Sequence, residues 1–146
     1  AGFESPSIIS QWACPGTYSL YLGDASSGSY SLRHAPTTIG HVCLSNSFIP
    51  IDTSKSYTLC ATSKALSLPV DRTIFQLQSF AADGITILDT FYAINTPSTT
   101  AWTKRCGTKT GFPIGTTQAK IRFFGNYDDL GNNGIVLVDE IILKDT

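Results

Sequence analysis

The chain has no methionine, only two histidines and four cysteines, and charged side chains at just 14% of its 146 residues. Each shortage excludes something. The formal net charge is -1, so no clustered excess of Lys and Arg is available to neutralise phosphates, and a nucleic-acid partner is not expected. The apolar run Ile135–Val138 falls far short of the roughly 20 residues a membrane helix needs, so no membrane span is expected. No basic segment followed by an apolar one opens the chain, and Met is missing even from position 1. The sequence therefore reads as a processed or excised piece, part of a larger multidomain protein. The two histidines, His34 and His41, leave few bases for an acyl-transfer triad, and no Gly-x-Ser-x-Gly elbow surrounds any serine. Cys-x-x-Cys spacing and phosphate-cradling glycine loops are absent too. A glycosidase would use two carboxylates about 5–9.5 Å apart. Asp89, Asp128 and Asp129 are conceivable, but Asp128-Asp129-Leu130-Gly131 reads more simply as turn chemistry. The chain is not expected to be an enzyme.

What is present is rich in Ser, Thr, aromatics and β-branched residues, with Glu and Lys scarce. Strong helix formers are thin, and 42% hydrophobic with 11% aromatic residues is too apolar for a disordered chain. The expectation is an all-β domain spanning residues 1–146. Nine strands are predicted, near Gly2–Glu4, Tyr18–Leu22, His41–Asn46, Ser56–Ser63, Thr73–Phe80, Ile85–Tyr92, Trp102–Thr108, Ala119–Phe124 and Ile135–Leu143. Asp83-Gly84 and Asn133-Gly134 signal hairpins, because these pairs tolerate the positive φ of tight turns. Pro50, Pro69, Pro97 and Pro113 are expected in loops, since proline cannot donate to a ladder.

Alternation assigns faces. Val42 and Leu44 are expected in the core, which turns His41, Cys43 and Ser45 the other way. Phe75 and Leu77, and likewise Ile121 and Phe123, are expected inside, leaving Gln76, Gln78, Arg122 and Phe124 outside. Planar amides and a guanidinium beside exposed rings suit a sugar, which presents a rim of hydroxyls and an apolar C–H face. The hydrogen-bonding candidates are His41, Gln76, Gln78 and Arg122; the stacking candidates are Trp12, Tyr92, Phe124 and Tyr127. Arg122 also fits an acidic sugar, because guanidinium matches carboxylate geometry. Against this stands a plainer reading, in which these are the polar residues of any half-exposed sheet and Phe124 is core after a bulge. Trp102 is assigned to the core, and Trp12 fits either role.

Several segments now line up in order: Gly2-Phe3-Glu4-Ser5, Gly16-Thr17-Tyr18-Ser19-Leu20, Phe48-Ile49-Pro50-Ile51-Asp52 leading into Tyr57-Thr58-Leu59, Trp102-Thr103-Lys104, Ala119-Lys120-Ile121-Arg122-Phe123, and Val138-Asp139-Glu140-Ile141. Their order and spacing resemble the carbohydrate-binding modules of families four, nine and twenty-two over nearly the whole chain. The resemblance implies a two-sheet antiparallel β-sandwich, a jelly roll of the galactose-binding-domain-like type, and a non-catalytic module that binds a polysaccharide and targets a parent protein to it. It also implies a structural Ca²⁺ held by the Gly2 carbonyl, Glu4 and Asp139, a hard-oxygen set that calcium favours. Glu140 stands where an Asp is commoner. Sequence alone allows three pairings of the four cysteines; the jelly-roll resemblance implies Cys14–Cys43 and Cys60–Cys106, and with them a secreted protein. The alternative function is a receptor-binding or structural domain of a phage tail or cell-surface adhesin.

Overall fold

The computed structural model describes residues 11–14, 18–35, 42–67, 72–97, 99–125 and 134–146. Among them are eleven strands: β1 (Trp12–Ala13), β2 (Tyr18–Leu22), β3 (Tyr30–His34), β4 (Cys43–Ser45), β5 (Ile49–Pro50), β6 (Tyr57–Ser67), β7 (Arg72–Phe80), β8 (Ile87–Pro97), β9 (Thr103–Lys109), β10 (Gln118–Gly125) and β11 (Ile135–Asp145). Among the described residues no helix is long and apolar enough to cross a membrane.

The strands form two antiparallel sheets. One runs β1-β4-β10-β7-β8, with β5 also paired to β10, and the other runs β2-β3-β11-β6-β9. Most neighbours are distant in sequence, the crossing order of a jelly roll, so the fold is an all-β sandwich. Alternate residues of each sheet meet in one core. Phe75, Leu77, Ile121 and Phe123 come from the first sheet, and Leu32, Leu59, Val136 and Val138 from the second. Tyr18 crosses between them: its ring meets Phe123 edge-on at 5.9 Å, and its hydroxyl donates to the Phe123 carbonyl at 3.3 Å. At one side the sheets nearly touch. A Cβ on Gly107 of β9 would lie 2.1 Å from the Ala93 carbonyl oxygen of β8, so only glycine fits there.

The disulfides Cys14–Cys43 and Cys60–Cys106 are both formed. The first ties β1 to β4. The second joins directly opposed residues of β6 and β9.

Four sequence expectations need correction. β3 was not predicted, because Tyr-Ser-Leu-Arg-His shows little apolar alternation; its buried side chains are Ser31, Leu32 and His34, two of them polar. Pro50 and Pro97 lie within strands rather than loops. Each ends a strand, Pro50 the two-residue β5 and Pro97 the edge strand β8, where a missing N–H costs no ladder bond. The face of β4 is reversed. Cys43 is fully buried opposite core residue Phe123, while Leu44 stands opposite Arg122 on the outer face. Finally, Trp102 is only half-buried: its indole N–H donates to Asp24 Oδ1 at 2.8 Å, with Lys64 above its ring, which is no core environment. The Gly2–Glu4 strand, Pro69 and Asn133 lie outside the described residues.

Candidate functional site

Directly opposed residues of antiparallel strands project to the same side of a sheet. The registers therefore trace a single row across the outer face of the first sheet: Ala13 opposite Leu44, Leu44 opposite Arg122, Arg122 opposite Gln76, and Gln76 opposite Tyr92. Five strands each contribute one residue, and at about 4.8 Å per strand the row spans about 19 Å. Arg122 stands at its centre. Along the same face Lys120 opposes Gln78, which opposes Thr90, and Phe124 opposes Ile74, which opposes Asn95.

A groove of about 400 Å³ opens on this face, lined by Ala13, Val42, Leu44, Gln78, Ile87 and Arg122. All five strands of the row reach it, so the groove runs across the strands rather than along them. Its walls are apolar and its polar groups few, the usual make-up of a small-molecule site. Arg122 lies over the Phe124 ring at 5.6 Å, and Lys120 over Phe48 at 4.6 Å. Such stacking positions a cation while leaving its charge unneutralised. Gln78 Nε2 approaches Thr90 Oγ1 at 3.5 Å, a long contact. Tyr92, at the edge strand, is 50% exposed and closes the row with an available ring.

The predicted ligand-binding residues thus divide. Arg122, Gln76, Gln78, Phe124 and Tyr92 share one face. On it Gln76, Gln78 and Phe124 are buried, at 2%, 6% and 7% exposure, so in this conformation none of the three offers the open surface expected of it, although Gln78 still lines the groove. Trp12 belongs to the opposite face. It sits opposite Ser45 and packs edge-on against core residue Phe123 at 5.2 Å, lining a separate cavity of about 350 Å³ with Gln11, Ser45, Ser47, Ile49 and Ile121. His41 and Tyr127 lie outside the described residues. Sequence reasoning missed the groove walls Val42, Leu44, Ala13 and Ile87, because apolar alternation in β4 pointed to the core. It also missed Lys120, which the same alternation in β10 had placed beside Arg122.

Of the predicted calcium ligands, Gly2 and Glu4 lie outside the described residues. Asp139 is fully buried on the outer side of the second sheet, under the loop from Gly23 to Ser29. Its Oδ2 accepts from Ser26 N and Ser27 N, both at 3.1 Å, and its Oδ1 from Glu140 N at 2.8 Å. Burial pushes the carboxyl above its ordinary range, against those three amides. Glu140 sits at a bulge with φ of 50°, and its Oε2 accepts from Ser26 Oγ and Thr62 Oγ1, both at 3.3 Å. Two adjacent carboxylates, one of them desolvated, form a hard-oxygen set with which a Ca²⁺ ion is chemically compatible. Among the described residues no group of three or more His, Cys, Asp or Glu gathers to hold a metal.

No protein-family model and no curated protein sequence matches the chain. Solved structures do. The CBM22-2 xylan-binding domain of Paenibacillus barcinonensis Xyn10C superposes with a TM-score of 0.75 at 14% identity, covering 100% of this chain and 98% of that one. A family 16 carbohydrate-binding module gives 0.69 at 17% identity, covering 93% and 92%. The enzymatically active domain of bacteriophage CBA120 tailspike protein 4 gives 0.70 at 17% identity; there the match covers 99% of this chain but only 20% of that one. In its fold, this chain is a two-sheet jelly-roll sandwich similar to those of these carbohydrate-binding modules.

Proposed function

We propose that the chain is a non-catalytic carbohydrate-binding module, which grips a polysaccharide in the groove on the β1-β4-β10-β7-β8 face and holds a secreted parent protein on it. The single observation that carries this reading is an apolar-walled groove that takes in Ala13, Leu44 and the Arg122 guanidinium, on a face whose row continues through Gln76 to the exposed ring of Tyr92. The similar folds of xylan-binding and other carbohydrate-binding modules support it. Its benefit to the parent protein is raised local concentration at the glycan.

The test is a glycan array with the purified domain, followed by variants. Selective retention on one glycan class is expected, with Arg122→Ala and Tyr92→Ala abolishing or strongly weakening it at unchanged melting temperature. Silence across neutral and acidic glycans would overturn the reading. It would favour a structural or receptor-binding role in a phage tail, to which the tailspike similarity lends support.

Calcium belongs to the same proposal as a structural ion at Asp139, with Glu4 and Gly2 completing its shell. A buried carboxylate with no cation among its hydrogen-bond partners is the observation that favours it. Chelator should lower the melting temperature of the unmodified protein and leave that of Asp139→Ala unchanged; no chelator effect on the unmodified protein would remove calcium from the proposal.

A further inference from the structure

The outer face of the first sheet carries an uneven set of charges. Alternation and register put Arg72, Lys120 and Arg122 on it, and among the described residues no Asp or Glu shares it. The ion pairs of the described residues all lie elsewhere: Lys55 with Asp145 and Lys64 with Asp24 on the second sheet and its loops, and Lys109 with Asp89 between the two sheets. The three cations of this face are instead positioned by neutral partners. Arg122 leans on Phe124, Lys120 on Phe48, and Arg72 Nη1 donates to the Asn95 carbonyl and Oδ1 at 3.1 and 3.2 Å. All three are held in place and none is neutralised. Among the described residues the three carboxylate-paired cations lie off this face, so a ligand docking on it meets positive charge that no side chain of the face offsets.

We propose that the groove selects an acidic polysaccharide, one whose sugars carry carboxylates, as uronic acids do. This rests on the glycan-binding reading above and names its ligand class. Arg122 supplies the planar fork that a carboxylate accepts in two parallel bonds. Lys120, two residues along the same strand and about 7 Å away, adds a point charge. Arg72 lies four residues along β7 from Gln76, about 13 Å beyond the row. A second observation points the same way. Gln76, directly opposite Arg122 and 2% exposed, keeps its amide oxygen without a hydrogen-bond donor. A sugar carboxylate that draws the Arg122 guanidinium toward it places hydroxyl donors beside this amide.

The experiment compares each of three polyuronates (alginate, polygalacturonate and polyglucuronate) with its carboxyl-reduced counterpart by affinity electrophoresis and calorimetry. Neutral xylan, laminarin and dextran sulfate are run alongside. At least one polyuronate should bind about tenfold or more tightly than its reduced form, and added salt should weaken that preference. Arg122→Lys should lose most of the preference although it keeps the charge, and Arg122→Gln all of it, both at unchanged melting temperature. Equal affinity for native and reduced polymers, or binding to xylan or laminarin alone, overturns the acidic assignment and leaves the module reading standing. Dextran sulfate held as tightly as the best polyuronate also overturns it, since generic polyanion attraction would then suffice. If no glycan of any kind is retained, the module reading fails and this inference with it.

Discussion

The two sheets bury similar inner faces but treat their outer faces in opposite ways. On the second sheet the outer side around Asp139 is covered by its own chain. The loop after β2 lies across it: Asp24 takes the Lys64 ammonium and the Trp102 indole, and Ser26 and Ser27 cap the buried Asp139. Ser31 Oγ pins the same loop by donating to the Asp24 carbonyl at 2.7 Å. Every charge named there has a partner or a set of amides. The outer side of the first sheet has cations without counter-charges, a half-exposed tyrosine and a groove crossing all five strands of the row. Polar residues on a strand's outer face therefore mean different things on the two sheets, and the partners decide which. Where the donors and acceptors are matched within the chain, the face is structure; where they are left over, it is available for recognition.

If that division is right, changes on the closed side should cost stability and spare binding, and changes on the open side the reverse. The largest loss is expected from Cys60→Ser combined with Cys106→Ser. Removing a cross-link between residues 46 apart should cost about 4 kcal/mol by chain entropy, read as a shift of the urea midpoint. Glycan retention measured well below the new midpoint should be unchanged. Asp139→Ala comes next, at about 2 kcal/mol. Three amides lose their acceptor, which outweighs the relief of a desolvated carboxylate. Gly107→Ala, between the sheets, should cost about 1–3 kcal/mol, because its methyl must displace the Ala93 backbone. Tyr92→Ala should change stability by no more than about 0.5 kcal/mol, as surface substitutions usually do, while strongly weakening glycan binding. Retained binding in that variant, or a large loss of stability, would break the comparison.

The smallest effect is a pH dependence that separates two carboxyls of the same region. Asp24 is held below its ordinary value, first by the Lys64 hydrogen bond and then by that of Trp102. It contributes stability above the ordinary value near 3.9, and that contribution is lost as pH falls through its lowered value. Burial holds Asp139 above its ordinary value. Its contribution is largest at acid pH and is lost as pH rises through the raised value. In calcium-free protein, carbon-13 carboxyl titration should therefore place Asp24 below and Asp139 above the ordinary aspartate midpoint. If Asp139 titrates below it, a cation or additional donors must be stabilising the charged form.

Much of the architecture was legible in the sequence because the central strands alternate cleanly. In β7 and β10, Phe75, Leu77, Ile121 and Phe123 face the core and Gln76, Gln78 and Arg122 do not. The alternation failed where an apolar residue had a use other than the core. Leu44 and Val42 wall the groove, while Cys43 faces inward beside its bonded partner, so β4 was read with its faces exchanged. It failed again in β3, where His34 is buried stacked on Tyr18 at 4.0 Å and carries no hydrophobic signal. For the candidate site, the central guanidinium and the edge tyrosine were visible from strand parity. The row that joins them was not, since register between β4, β10, β7 and β8 is a long-range property. Trp12 was left between core and ligand for the same reason: nothing local to a two-residue strand says which side of a distant β10 it will meet.

That two-residue strand has a further consequence. Ala13, the end wall of the groove, is held by two residue pairs with β4, one bond from Asn46 N to the Gln11 carbonyl at 2.8 Å, and the Cys14–Cys43 bridge next door. The bridge is the only covalent member of that set. Reducing that bridge leaves the wall held by backbone pairing alone, so the mouth of the groove is the part of this face tied to the oxidation state of its thiols.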